Sequence, residues 1–169
     1  MAGGDCVIIM EPGRVLLGRY EVVNYIDAGG MQEVYKARDL SLNRYVALKT
    51  PKTDSAERRF LRSAQTGAML FSHHLASTLD YFVEDRRQYL VEELVVGEDL
   101  EKVMRHRYDF LDPHMVAHVF HCLAKGVLVA HRRQIVHRDL KPKNILVSDP
   151  ANFDKVKITD FGIAKLAEI

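Results

Sequence analysis

The first half of the chain is built from short runs in which apolar and polar positions alternate. Residues 20–49 contain three such runs, which are rich in β-branched and aromatic side chains and are separated by turn-forming residues. Alternation of this kind is typical of antiparallel strands. Residues 53–70 then place apolar side chains three and four positions apart, which predicts a helix with one buried face. Two further strands are predicted at residues 78–83 and 88–94, so the order of elements is β-β-β-α-β-β.

The second half of the chain has a helical period. A short helix is predicted at residues 98–106 and a long one at residues 113–130, where Asp112 is a typical N-cap and Pro113 a typical first helical residue. At about 3.6 residues per turn, one face of the long helix carries most of its apolar side chains. These are Val116, Val119, Phe120, Leu123, Val127 and Ala130.

Three histidines, His114, His118 and His121, lie on the opposite face of that helix. Their spacing brings imidazole rings close together on a helix, so we considered them as metal ligands. No carboxylate is interleaved with them, and a solvated helix face is the better interpretation. We therefore predict that these histidines are not a metal site.

The composition describes a globular chain of nearly neutral charge. Of 169 residues, 47% are apolar and 28% are charged, with Lys+Arg 24 against Asp+Glu 23 and a formal net charge of +1. This size allows one domain or two small lobes with a core, and it excludes disordered, collagen-like and disulfide-dependent classes. The even charge gives no electrostatic reason to expect binding to nucleic acid or to an anionic membrane.

The cysteines and the apolar stretches bear on the cellular compartment. Cys6 and Cys122 lie far apart and lack metal-type spacing, which fits reduced thiols. The N-terminal apolar run is too short for a signal peptide, and residues 115–130 are interrupted by polar side chains. We therefore predict a cytoplasmic protein without a membrane span.

The side chains most typical of chemistry lie between positions 135 and 160. Asp139 can accept a proton from an attacking hydroxyl, and Lys141 can neutralise charge on a phosphoryl group. Asn144 offers an amide oxygen to Mg²⁺, and Asp160 follows an apolar strand as a ligand for a hard cation. Together these four residues predict a phosphoryl-transfer site.

Three motifs in this chain resemble the signature set of the protein kinase family. They are Val46-Ala47-Leu48-Lys49, then His137-Arg138-Asp139 with Asn144, then Asp160-Phe161-Gly162. Their order and their strand or loop contexts are those of the family. Residues 17–20 and 29–31 make the resemblance closest to bacterial-type serine/threonine protein kinases.

The resemblance implies an α+β, protein-kinase-like fold. A five-stranded antiparallel N-lobe with one helix is expected at residues 18–94, after an N-terminal extension at residues 1–17. Residues 95–169 are expected to form the first, helical half of a C-lobe. Because Ile169 lies only seven residues after Gly162, the activation segment and the later helices are expected to be absent. The apolar face of the long helix would then invite self-association or a partner chain.

The resemblance also implies roles for individual residues. The cofactors would be ATP and Mg²⁺, with Lys49 bridging the α- and β-phosphates and with Asp160 and Asn144 holding the metal. Asp139 would orient or deprotonate the acceptor hydroxyl, assisted by Lys141. The rest of the ATP site would comprise the loop glycines Gly29 and Gly30, the adenine-contacting Ile26, Val34, Ala47 and Leu146, and hinge hydrogen bonds from Glu93 and Val95.

Two functions are compatible with these residues, and a third interpretation is weaker. The first is an ATP-dependent serine/threonine protein kinase acting on a protein hydroxyl, because Lys141 is the residue that serine/threonine kinases carry. The second is a pseudokinase-like regulatory module that binds nucleotide or a partner without catalysis. It is favoured by Asp27 and Gln32, which occupy two of the three glycine positions of the family's phosphate loop, and by Ser63, which replaces a helix glutamate. The third is a remnant that does not fold alone.

One further departure concerns Glu92, at the position that the family calls the gatekeeper, where an apolar or threonine side chain is usual. A carboxylate buried there needs a partner. Since Ser63 leaves Lys49 without the family's helix glutamate, we predict that Glu92 pairs with Lys49.

Overall fold

The computed structural model describes residues 10–28, 32–106, 112–148, 153, 155–161 and 165–166. Its first half is a six-stranded antiparallel sheet with the strand order β1-β2-β3-β4-β6-β5. One helix, α1, connects β4 to β5. The bounds are β1 Val15–Leu16, β2 Tyr20–Ala28, β3 Gln32–Asp39, β4 Arg44–Pro51, α1 Asp54–Gly67, β5 Thr78–Glu84 and β6 Arg87–Glu93.

The sheet has one strand more than the five expected. Leu16 lies opposite Tyr20, which makes the two-residue β1 an edge strand beside β2. Both side chains are fully buried. The stretch is too short for alternation to be visible in the sequence, and its burial comes from the turn that folds it back onto β2.

One face of the sheet forms an aromatic core. Tyr20 and Tyr89 stack on either side of Phe82, with ring centroids 5.5 and 5.0 Å apart. Met10 is buried in the same cluster, and its backbone N–H donates to the Tyr35 hydroxyl at 3.1 Å. Helix α1 lies on the opposite face, where Phe60 packs with Leu90 and others.

The second half is helical, with short strands that hold its loops. It consists of β7 Glu98–Asp99, α2 Leu100–His106, α3 Pro113–His131, β8 Ile135–Val136, a 3₁₀ turn at Pro142–Asn144, β9 Ile145–Val147, β10 Val156–Ile158 and β11 Lys165–Leu166. β9 pairs with β7 and β10, and β8 pairs with β11.

The long helix α3 begins where the sequence predicts. Asp112 is its N-cap and accepts a hydrogen bond from the His114 N–H at 2.7 Å, with Pro113 as the first helical residue. The predicted apolar face is wrong at Phe120, which is 67% exposed. The buried line of α3 runs instead through Val119, Cys122, Gly126 and Ala130, because β9 and β10 approach the helix from that side.

His118 and Cys122, two side chains of α3 considered in the sequence analysis, both lie within the described residues. His118 directs Nε2 to the carbonyl oxygen of Phe153 at 3.1 Å, so this ring makes a structural hydrogen bond. Cys122 is a buried free thiol, whereas Cys6 lies outside the described residues. No helix within these ranges is both long enough and apolar enough to cross a membrane.

Candidate active site

The loop between β8 and β9 presents the predicted catalytic residues as one hydrogen-bonded unit. Lys141 Nζ lies 2.8 Å from Asp139 Oδ2. The side-chain amide of Asn144 donates both to the backbone oxygen of Asp139 at 2.7 Å and to Asp139 Oδ2 at 3.1 Å. These bonds, the one from Lys141 first, lower the pKa of Asp139. Asp139 is therefore a carboxylate at neutral pH.

His137 links this loop to the backbone that follows β10. Its Nε2 lies 3.1 Å from the carbonyl oxygen of Thr159, and the N–H of Asp139 donates to its Nδ1 at 3.3 Å. A carbonyl can only accept, so Nε2 carries the proton and the ring is neutral. Burial lowers the pKa of His137 and keeps it in that form. The ring also packs on Phe161, with centroids 4.6 Å apart.

Asp160 stands beside this loop at the end of β10. The N–H of Thr159 donates to the Asn144 backbone oxygen at 3.0 Å, so the chain segments that carry Asp160 and Asn144 are directly linked. A positive φ of 65° turns the chain at Asp160. The pair offers one carboxylate and one amide oxygen, a donor set that fits Mg²⁺ completed by phosphate and water oxygens. No cluster of three or more acidic, His or Cys ligands occurs among the described residues.

Lys49 on β4 is paired as predicted. Its Nζ lies 2.7 Å from Glu92 Oε2 on β6, and both residues are buried. Burial alone would lower the pKa of Lys49, but attraction to Glu92 and Asp160 outweighs it, and the pKa is raised. Lys49 is therefore a charged ammonium that feels the field of Asp160. Ser63 is buried on α1.

The predicted adenine-contacting residues lie on strands of both halves of the chain. Ile26 is on β2, Val34 on β3 opposite Lys49, and Ala47 on β4 opposite Glu92. Leu146 is on β9 in the second half. Ala47 is buried, whereas Ile26 is exposed.

The connection between the two halves begins at Glu93. Its N–H donates to the Ser77 carbonyl at 2.9 Å. Its side chain lies 2.8 Å from Lys157 Nζ on β10, which ties the last residue of the sheet to the strand that leads to Asp160. Val95 follows in the extended segment between β6 and β7. Gly29 and Gly30 lie outside the described residues.

The side chains at the two substituted glycine positions, Asp27 and Gln32, both contact residues in the second half of the chain. Gln32 Nε2 donates to Asp160 Oδ1 at 3.1 Å. Asp27 Oδ2 lies 3.6 Å from Lys143 Nζ, and both of these side chains are about half exposed. The sequence identified Asp27 and Gln32 as departures but not their partners, which lie more than 100 residues away along the chain. No local pattern carries that information.

The sheet with one helix, the loop of Asp139, Lys141 and Asn144, and the strand-end Asp160 together define the class of proteins with a protein-kinase fold. The chain belongs to the protein kinase family, because the family model of the protein kinase domain matches residues 20–169.

Named relatives agree with this assignment. The chain is 38% identical to the serine/threonine-protein kinase PrkC of Bacillus subtilis, over 90% of this chain and 24% of that protein. It is 39% identical to the serine/threonine-protein kinase PknA of Mycobacterium tuberculosis, over 92% of this chain and 38% of that protein. The chain thus spans well under half the length of these relatives. The predicted resemblance to bacterial-type serine/threonine kinases is confirmed.

A solved structure supports the fold. The kinase domain of PknI from Mycobacterium tuberculosis, determined as a double mutant, superposes with a TM-score of 0.77 at 27% identity. The match covers 92% of this chain and 65% of that one. The predicted kinase-like α+β fold is therefore confirmed.

Proposed function

We propose that this chain binds ATP with Mg²⁺ and transfers the terminal phosphoryl group to a serine or threonine hydroxyl of a protein. The observation that carries the proposal is the linked unit of Asp139, Lys141 and Asn144 beside Asp160. It combines an ionised carboxylate, an adjacent cation and a hard-oxygen donor pair. Phosphoryl transfer needs little beyond such positioning and charge stabilisation. Residues 18–94 and 95–169 would act as its two lobes.

In this proposal Asp139 acts mainly by orientation. A carboxylate whose pKa is lowered by Lys141 is a weak base. It would still accept a hydrogen bond from the acceptor hydroxyl, and this bond would direct the hydroxyl oxygen toward the phosphorus atom. Lys141 supplies positive charge next to the transferring group. As the bond from the acceptor oxygen to the terminal phosphorus forms, the bond to the bridging oxygen breaks, ADP leaves, and the hydroxyl proton passes to Asp139.

The nucleotide would be held by residues of both lobes. Lys49 would meet the α- and β-phosphates, and Asn144 with Asp160 would hold Mg²⁺, which neutralises charge on the phosphate oxygens. The remaining proposed contacts are Ile26, Val34, Ala47 and Leu146 around the adenine, Glu93 and Val95 at the hinge, and Gly29 and Gly30 in the loop.

A second candidate is a regulatory module that binds nucleotide or a partner without catalysis. It is favoured by the contact of Gln32 with Asp160, since a donor on a metal-ligating oxygen competes with the metal. Ser63 in place of a helix carboxylate favours it as well.

Thermal unfolding tests nucleotide binding. With ATP and Mg²⁺ at about 100 times the dissociation constant, bound ligand stabilises the native state by about 2.7 kcal/mol. A chain of this size should then unfold roughly 5–11 °C higher. ATP with EDTA should give a smaller shift, because Asn144 and Asp160 act through the metal. The absence of any shift at millimolar Mg²⁺-ATP would contradict the kinase function and also a regulatory module that binds nucleotide.

The substitution Gln32→Gly should strengthen Mg²⁺-ATP binding by about tenfold or more, because the metal no longer has to displace a hydrogen bond to a charged group, worth about 1.5–3 kcal/mol. In this variant Asp160 Oδ1 no longer accepts the hydrogen bond that competes with the metal. The start of β3 also leaves more room for phosphate, because glycine has no side chain. Titration with a fluorescent ATP analogue measures the affinity.

Gln134→Gly is the matched control for that substitution. Gln134 is an exposed turn residue directly before β8, outside the proposed nucleotide contacts, with a φ of 60° that glycine adopts readily. Its replacement should leave the affinity unchanged. Equal or weaker binding in the Gln32→Gly variant would mean that the Gln32 contact does not restrain the metal site.

Other expectations stay predictions. They are the cytoplasmic location, the lack of nucleic-acid or membrane partners, and a partner or second copy over the apolar side of α3, where Phe120 and Leu128 are exposed.

A further inference from the structure

The carboxylate that holds Lys49 belongs to the sheet and not to a helix. Lys49 on β4 lies opposite Leu90 on β6, and Glu92 is two residues further along β6. Side chains two apart on a strand share a face, so Lys49 and Glu92 are diagonal neighbours on the same face of one sheet. Their charged atoms lie 2.7 Å apart. The backbone pairing of β4 with β6 fixes the spacing of the two residues from which these side chains extend.

Helix α1 packs on that same face, but none of its described side chains forms an ion pair with Lys49 or Glu92. Phe60 and Ala64 of α1 pack with Leu90, the residue of β6 that lies directly opposite Lys49. Ser63 is also buried on α1, at the position where the family carries its helix glutamate. In protein kinases the strand lysine is paired with that glutamate, so its placement depends on where the helix lies.

We propose that Glu92 is the positioning residue for Lys49 and that this pair makes the placement of Lys49 independent of α1. Two hydrogen-bonded strands move together, whereas a helix packed on a sheet can shift against it. Lys49 is thereby held toward Asp160 whether or not α1 is closely packed. The inference deepens the proposed function, since it concerns how the ATP-contacting lysine is kept in place.

Charge balance supports this assignment. A lysine ammonium that is buried without a partner is strongly disfavoured. Lys49 is 6% exposed and Glu92 is 7% exposed. Asp160 contributes a second attraction. Within the described residues, Glu92 is the carboxylate in contact with Lys49, so its removal leaves the ammonium buried and mobile.

The test measures how fast Lys49 is acylated by acetic anhydride, read by mass spectrometry without nucleotide. A paired ammonium must separate from its carboxylate and lose a proton before it reacts. The nearly isosteric Glu92→Gln should therefore raise the Lys49 acylation rate about tenfold or more. The exposed Lys125 serves as an internal reference and should react at an unchanged rate.

Rescue distinguishes positioning from simple packing. Adding Ser63→Glu to Glu92→Gln places a carboxylate on α1 and should restore protection of Lys49 to within about threefold of the unaltered chain. An unchanged rate in Glu92→Gln, or failure of rescue while circular dichroism and thermal unfolding show a folded protein, would overturn the proposal. If the double variant is unfolded, Glu92→Asp, which keeps the charge, replaces it as the rescue and should react more slowly than Glu92→Gln.

A third variant tests independence from α1. Gln65 is an exposed residue in the last turn of α1, and Gln65→Gly loosens that end of the helix. In the otherwise unaltered chain, Gln65→Gly should change the Lys49 acylation rate by no more than about twofold. In the chain that carries Ser63→Glu and Glu92→Gln, Gln65→Gly should raise the Lys49 acylation rate. An equal rise in both backgrounds would overturn the proposed independence. Lack of Mg²⁺-ATP binding by the unaltered chain would overturn the proposed function and leave these acylation results interpretable.

Discussion

Replacing Asp139 with asparagine should lower the rate of phosphoryl transfer to a serine or threonine peptide by about 10²–10⁴-fold. Asparagine has nearly the same shape, but it is neutral and cannot take up the hydroxyl proton. It also removes the negative partner of Lys141, which lies 2.8 Å from Asp139 Oδ2. Incorporation of labelled phosphate at saturating Mg²⁺-ATP measures kcat.

Mg²⁺-ATP affinity provides the control, because Asp139 acts on the acceptor and not on the nucleotide. Affinity should stay within about threefold in Asp139→Asn. Asp160→Asn should behave differently and lose both transfer and the magnesium dependence of binding. Undiminished transfer by Asp139→Asn would remove this residue from the mechanism. An unaltered chain that binds Mg²⁺-ATP but transfers nothing would favour the regulatory module.

Gly97→Ala should destabilise the protein by about 3 kcal/mol or more, which lowers its unfolding midpoint by roughly 6–12 °C. Gly97 follows the connection between the two halves and has a φ of 156°. A Cβ at this position would overlap the carbonyl oxygen of Val147 and lie 2.7 Å from the Cα of Ser148. Both obstacles are backbone atoms of the β9 region, so they cannot rotate away as a side chain would.

Gly13→Ala is the matched comparison. Gly13 also has a positive φ, of 87°, but no atom lies within 4 Å of the place that an alanine Cβ would occupy. Alanine there should cost only the conformational strain of about 1–2 kcal/mol. Differential scanning calorimetry of the two variants isolates the steric contribution. An equal loss of stability in the two variants would mean that the β9 region shifts to accommodate the new Cβ at position 97.

Much of the catalytic loop could be predicted from sequence because its contacts are local. Asp139, Lys141 and Asn144 lie within six residues, and a 3₁₀ turn and a short strand are enough to bring them together. The start of α3 was equally predictable, since an N-cap aspartate followed by proline acts on the backbone next to it. The pairing of Lys49 with Glu92 followed from the family resemblance together with charge, since Ser63 left Lys49 without the family's partner and the gatekeeper position buried a carboxylate.

Contacts between distant segments could not be predicted in the same way. The hydrogen bond from Gln32 to Asp160 joins residues 128 positions apart, and it depends on how the two halves close. The expected range 53–70 for α1 was too wide at both ends, because Thr53 is the N-cap and the helix ends at Gly67. The exposure of Phe120 depends on which side of α3 the strands β9 and β10 approach.

The links that join His137, Thr159 and Asn144 have a consequence for how this site can change. Thr159 accepts from the His137 ring and donates to Asn144 through its backbone atoms, so the frame of the loop does not require the carboxylates of Asp139 or Asp160. Asp139 or Asp160 can therefore be replaced without breaking the hydrogen bonds that hold the loop backbone in place. Exchange of either carboxylate would change the chemistry of the site without removing the support of the loop.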